Sequence, residues 1–358
     1  MLLIFDKWAN ISQELSTYFF RNACGFTPIP NEKNFKKLIG KKKSSIDILF
    51  NKNDTNKLEN LDLSVSSKWL SSDLINDISS FEKKINQKPF STFFGGYLET
   101  RAVYDSSDYE ILTERGFENR TTHLGIDFWV NEKTSINSIE DGIIKIITND
   151  KTIKGYGGLI IIEHNLGSLK FYSLYGHLTD QKKSKLKVGD FIEKGEKIAE
   201  IGSVKENGGW SPHLHFQIML TLLDYKNDFP GVCLESEKKV WSSICPNPNL
   251  ILNIDVNTST KFDEDELKIS RKKYLPRNLK LSYNSPIYIV RGFNQYLYSD
   301  KGKKYLDTVN NIAHVGHQNI NVLRAAKEQI GVLNTNTRYL HDEIISLSKN
   351  IATKFPKK

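Results

Sequence analysis

The stretch SPHLHFQIML, Ser211–Leu220, sets two histidines two residues apart inside an otherwise apolar run. Successive side chains of a strand point to opposite faces. As a strand, this run sends His213, His215, Gln217 and Met219 to one side and Leu214, Phe216, Ile218 and Leu220 to the other. The second set is a core face. The first presents two imidazoles together, about 7 Å apart along the backbone, where a core needs none. That spacing suits a metal ligand beside a residue that works on whatever the metal binds.

A catalytic zinc takes about three protein ligands and keeps a position open. The best source of the others is THLGIDFW, 122–129, with His123 and Asp127. In an extended chain these two lie about 13 Å apart, too far to share one ion at about 2.0–2.2 Å per ligand. The chain is therefore expected to bend between them, with Gly125 allowing the bend. His177 ends the β-like run FYSLYGHL. It is a further candidate, its plain structural alternative being packing against Tyr172 or Tyr175. His164, at the end of another strand, reads as a structural residue.

Outward from these motifs, GIIKIIT, GLIIIEH, KFYSLYGH and DFIEKGEKIAEIG are short β-like runs separated by Gly and Asn/Asp signals. They predict an antiparallel sheet or small barrel over about 87–225. Residues 1–24 keep helical spacing through Ile4, Trp8, Ile11, Leu15 and Phe19, and 62–86 return to it. Residues 226–250 read as an irregular arm and 251–270 as a polar, acidic linker. From 281, PIYIVRGFNQYLYSDKGKKYLD predicts a hairpin with a DKGK turn, and INVLRAAKEQIGVL an amphipathic helix. The expected fold class is α+β, mainly antiparallel β. The expected organisation is a helical connector (1–86), a β-domain (87–250), a linker (251–280) and a segment too short to complete a domain (281–358).

At 358 residues and 39% hydrophobic, the chain can build real cores. Its net charge of +8 comes from scattered lysines, which describe a solvated surface better than a nucleic-acid face. Cys24, Cys233 and Cys245 form no metal-spaced pair, and an odd count is a poor disulfide framework. No signal peptide and no apolar run of about 18 residues is visible. A cytoplasmic location, with no membrane and no nucleic-acid partner, is the expectation.

RTTHLGIDFW, FYSLYGHL, LKVGDFIEKGEKIAEIG and SPHLHFQI occur in the order found in lysostaphin/LytM-type zinc endopeptidases, and about 90–225 resembles that family. The resemblance implies a compact antiparallel β-fold with a groove. It implies zinc held by His123, Asp127 and His215, and His213 and His177 as catalytic histidines that do not bind the metal. It implies a peptide or amide substrate. KENGGWSPHLHF departs from the family's usual approach to this strand, and Trp210 is expected to narrow the groove. About 281–345 resembles the N-terminal part of class III (4-aminobutyrate-type) aminotransferases, through the hairpin and the GH before the helix. That resemblance implies pyridoxal phosphate, and a homodimer through this part, only in a full-length aminotransferase. No residue here matches the cofactor-binding lysine or carboxylate. RNACGFTPIP and LDLSVSS resemble the segment that follows a kinase-like domain in fusions of kinase-like, peptidase and aminotransferase parts. The chain thus reads as the middle of such a fusion. The alternative to a zinc hydrolase is a non-catalytic, zinc-bearing β-domain that serves as a scaffold or ligand-binding module.

Overall fold

The computed structural model describes residues 15, 24, 32–40, 45–50, 57–70, 78–87, 91–104, 106–113, 116–254, 264–309, 314–335 and 338–356. The helix expected over 1–24 lies outside them apart from Leu15 and Cys24. The helices are α1 (Glu32–Ile39), α2 (Ile46–Leu49), α3 (Ile78–Ile85), α4 (Lys238–Ile244), α5 (Asn249–Leu252), α6 (Glu264–Tyr274), α7 (Ile320–Val332) and α8 (Asp342–Ala352). The strands begin with β1 (Lys57–Asn60), β2 (Ser91–Gly95), β3 (Glu110–Thr113), β4 (Gly116–Asn119), β5 (Thr122–His123), β6 (Ile126–Trp129), β7 (Ser135–Asn137), β8 (Gly142–Asp150) and β9 (Gly157–Leu166). They continue with β10 (Leu169–Leu178), β11 (Phe191–Ile192), β12 (Lys197–Glu200), β13 (His213–Met219), β14 (Val232–Cys233), β15 (Ile289–Phe293), β16 (Tyr296–Ser299) and β17 (Lys304–Leu306).

Eight strands form the main sheet in the order β1-β2-β6-β13-β10-β9-β8-β11. Every neighbouring pair is antiparallel except β1 with β2. The fold is thus α+β and mainly antiparallel, as expected. Alternation along β13 holds as well: Leu214, Phe216 and Ile218 enter one core, and Met219 enters the other. Both faces are covered. Phe35 and Ile39 of α1, Ile46 and Leu49 of α2, and Ile251 and Leu252 of α5 close the first core. Trp241 and Ile244 of α4, with Phe229, close the second.

Several local expectations are corrected. The connector adds to the sheet through β1, its helices α1 and α2 enter the first core, and α3 packs against a separate cluster with Trp129. Within 62–86 only α3 is helical among the described residues. Residues 61–70 instead turn on Asp62 and Ser67, whose side chains accept from Ser64 N and Trp69 N, the local competition that favours turns over helix. The arm at 226–250 contains β14 and the short helices α4 and α5, too brief for a periodic signal. The linker holds α6, acidic in its first turn and basic in its last, a charge order that complements the helix dipole. The C-terminal hairpin is a three-stranded meander, β15–β16–β17, with the DKGK turn joining the last two strands. The predicted helix is α7, and neither it nor α8 has a buried residue. Among the described residues no helix is long and apolar enough to cross a membrane.

His164 is structural, as read. It is fully buried, its Nδ1 donates to Asp141 O at 2.9 Å, and its Nε2 lies 2.6 Å from Ser173 Oγ. Tyr175 OH and the backbones of Glu140 and Asp141 complete its polar surroundings, and Phe171 stacks on the ring. Burial pushes it down from 6.5 to about 4. The unfolded chain therefore takes up a proton that the fold refuses. Stability is unaffected above about pH 6.5 and declines as pH falls toward 4, by up to about 3 kcal/mol. In urea titrations between pH 7 and 5, His164→Gln should flatten this slope; a slope equal to that of the parent chain would refute the assignment.

Candidate metal centre and cleft

Strand register assembles the centre. On β13, His215 stands directly opposite Asp127 of β6 on one side and Gly176 of β10 on the other. His123 on β5 pairs with Val232 of β14. The chain turns between β5 and β6 as expected, bringing His123 Nε2 to 3.2 Å from Asp127 Oδ1. Gly125 is needed there for space more than for conformational freedom. A Cβ at this position would lie 2.7 Å from the His215 ring and 2.7 Å from Phe216 O.

Each imidazole has its outer nitrogen committed. His123 Nδ1 donates to Gly96 O at 2.9 Å, and Gly96 itself has a φ of +108°. A Cβ on Gly96 would meet that nitrogen at 2.8 Å. His215 Nε2 donates to Gln217 Oε1 at 3.0 Å, and Gln217 in turn donates to Pro230 O. The inward atoms are thus bare acceptors. His123 Nε2 and His215 Nδ1 lie 2.8 Å apart, with Asp127 Oδ1 at 3.1 Å from the latter. All three ligand atoms fall within 4.8 Å of one another.

Electrostatics keeps these groups in ligand form. Burial, helped by the Arg101 charge, pushes His123 down to about 3, so its ring is neutral. Burial works to raise the Asp127 carboxyl, but its charged and hydrogen-bonding neighbours, the Arg101 guanidinium among them, outweigh it and hold the group well below the usual carboxylate range. Arg101 Nη1 donates to Asp127 Oδ2 at 2.6 Å, which leaves Oδ1 for the centre. Arg101 Nε is held by Glu99 at 2.7 Å, and Glu99 Oε1 accepts from Leu63 N at 2.9 Å.

His213 and His177 flank the centre, their rings 4.1 Å apart. His213 Nδ1 donates to Ser211 O and His177 Nδ1 to Asn207 O, so each leaves Nε2 bare. His213 stacks on Trp129, and its Nε2 is 3.9 Å from Asp127 Oδ1. Burial lowers both rings below 6.5, for His177 with help from His213. His177 has a φ of +63°, at a break in the β9–β10 register. Such a backbone costs on the order of 1 kcal/mol or more in a non-glycine residue, and a bulge of this kind re-aims a side chain. Its aromatic neighbours include Tyr156 and Trp210, rather than the Tyr172 or Tyr175 of the structural alternative.

The centre opens into a cleft of about 540 Å³. Leu63, Leu70, Phe81 and Trp129 line one part; Tyr104, Tyr109, Ile153 and Trp210 line another. The hydroxyl of Tyr156, also a lining residue, is buried and has no hydrogen-bond partner among the described residues. Sequence reasoning did not reach Arg101, Glu99, Gly96 or Tyr156, which no spacing ties to the histidines. It placed Gln217 on the right face, two residues beyond His215, without a role. His314 is exposed, and His317 is bonded to Asp307 at 2.8 Å within the meander region, away from the centre.

Residues 121–226 match the model of peptidase family M23, so this stretch is a lysostaphin-type peptidase domain. The chain is 38% identical over 103 residues to the glycyl-glycine endopeptidase ALE-1 of Staphylococcus capitis, covering 28% of this chain and 25% of that protein. It is 36% identical over 104 residues to an alanine–glyoxylate aminotransferase 2-like protein of Drosophila melanogaster, covering 29% of this chain and 21% of that one. The similarity to class III aminotransferases is therefore partial, and the chain spans a quarter or less of the length of both relatives. Among solved structures, the catalytic domain of lysostaphin from Staphylococcus simulans aligns at 31% identity with a TM-score of 0.24, over 31% of this chain and 74% of that one.

Proposed function

We propose that the chain is a zinc-dependent hydrolase of peptide or amide bonds, with zinc held by His123, Asp127 and His215. One observation carries the reading: two imidazole nitrogens and a carboxylate oxygen face one another as bare acceptors within 4.8 Å. Acceptors set this close repel unless a cation lies among them. Two imidazoles and one carboxylate also match the donor set of catalytic zinc. A zinc ion held by these residues would supply Lewis acidity toward a substrate carbonyl and a water.

The remaining steps belong to the chain. His213 Nε2, bare and beside Asp127, accepts the proton of the attacking water. His177 Nε2, also bare and with its ring 4.1 Å from that of His213, takes up the proton His213 has accepted and passes it to the leaving nitrogen. Arg101 keeps Asp127 ionised and oriented. The aromatic walls exclude bulk water and hold the substrate chain.

Pyridoxal phosphate does not fit this chain. Every described lysine from residue 281 onward is exposed, whereas a cofactor-bearing lysine needs an enclosed, desolvating pocket.

The test is digestion of a mixed peptide library, with new amino termini identified by mass spectrometry. Zinc-loaded protein should cleave, a chelator should abolish cleavage, and added zinc should restore it. Cleavage that persists in chelator, or none with zinc bound, refutes the reading.

A further inference from the structure

The C-terminal meander lies against the peptidase part, and one side chain does most of the joining. Arg291 on β15 is 8% exposed. Its Nε donates to Val65 O at 2.6 Å, its Nη1 to Leu70 O at 2.7 Å and its Nη2 to Ser67 O. All three carbonyls belong to the 61–70 segment, more than two hundred residues away in sequence. The planar fork of arginine suits carbonyls that diverge in this way, and a lysine ammonium does not reproduce it. Around it, Tyr298 packs with Val65 and Ala102, and Thr121 Oγ1 donates to Lys301 O at 3.1 Å.

The same segment carries part of the cleft. Leu63 and Leu70 line it together with Phe81 and Trp129. Leu63, Leu70 and Trp129 share one buried cluster, with Phe81 packed against it. This wall leads directly to the centre, because Trp129 stacks on His213. Residues 61–70 have no helix or strand hydrogen bonding of their own. They are held by Leu61 N to Phe94 O, Leu63 N to Glu99, Val65 N to Thr100 O, Lys84 Nζ to Trp69 O at 2.6 Å, and the Arg291 fork.

We propose that Arg291 is a positioning residue for substrate: through it the C-terminal meander fixes the apolar wall formed by Leu63 and Leu70, and this wall selects a peptide with a bulky apolar side chain beside the scissile bond. The inference rests on the cleft being the substrate site, and it gives the aminotransferase-like segment a task within the peptidase. An apolar wall rewards a side chain that leaves water. Fully seating one is worth about tenfold or more in affinity, while an all-glycine chain gains nothing from it.

The experiment uses the full chain, metal-free and zinc-loaded, and reads binding independently of cleavage. Two blocked pentapeptides, GGFGG and GGGGG, are titrated by calorimetry. Amide hydrogen exchange over 61–70 is followed in parallel. The parent chain should bind the phenylalanine peptide about tenfold more tightly. Arg291→Ala should lose that preference, keep its affinity for the glycine peptide and exchange faster across 63–70. Arg291→Lys keeps the charge without the fork; it should show an intermediate preference and serves as the test if the alanine variant does not fold. A parent chain without preference, a variant that retains it, or a variant that weakens both peptides equally would each overturn the proposal. Binding preference without cleavage would leave it standing and sink only the hydrolase reading.

Discussion

Asp127→Ala protein should contain no bound zinc and should be less stable by about 3 kcal/mol. The carboxylate has two tasks on its two oxygens. Oδ1 lies against His123 and His215, and Oδ2 accepts from Arg101 at 2.6 Å. Removing it takes away the anionic donor and strips a buried guanidinium, 5% exposed, of one of its two carboxylates. Breaking a buried pair costs about 3–5 kcal/mol, and the remaining Glu99 contact places the value at the lower end. His215→Ala should also lose zinc but leave the Arg101 pair intact. Elemental analysis together with urea midpoints separates the two. Parent-level zinc in either variant, or equal midpoints for both, would refute this division of roles.

His213→Ala should retain most of its zinc and lose hydrolysis by about 10²–10⁴-fold, the usual worth of a general base. Its Nε2 lies 3.9 Å from Asp127 Oδ1 and outside the group of mutually close ligand atoms. The nitrogen is bare because Nδ1 is spent on Ser211 O at 2.7 Å. The contrast with His215→Ala is the informative part: neighbours on one strand, one variant empties the centre and the other silences it. A His213→Ala protein that emptied of metal would invert the assignment.

Much of the centre was legible because it obeys short-range rules. The two-residue period of β13 presented His213 and His215 on one face, and the distance argument on His123 and Asp127 demanded the turn that the structure contains. Strand pairing was not legible, so the cross-strand meeting of Asp127 and His215 came only from the register. Arg101 and Glu99 sit in a loop with no period, and their roles exist only because Asp127 and Leu63 reach them through space. The same blindness applies to KLEN, 57–60, which carries no strand pattern yet joins β2 in parallel. All four residues are exposed or only half-buried, so backbone pairing with β2, and neither burial nor local propensity, holds the strand. The docking of Arg291 on residues 65–70 spans the chain and leaves no local trace.

Arg101 gives the centre a counter-ion that belongs to the chain. In many small metal proteins the metal neutralises the ligands, so chelation and unfolding are one event. Here the carboxylate is already neutralised from behind, and the outer nitrogens of both ligand histidines are already bonded within the protein. Stripping the ion should therefore leave a folded, refillable socket, with occupancy that follows the zinc available around it, so that supply of the metal governs whether the cleft works.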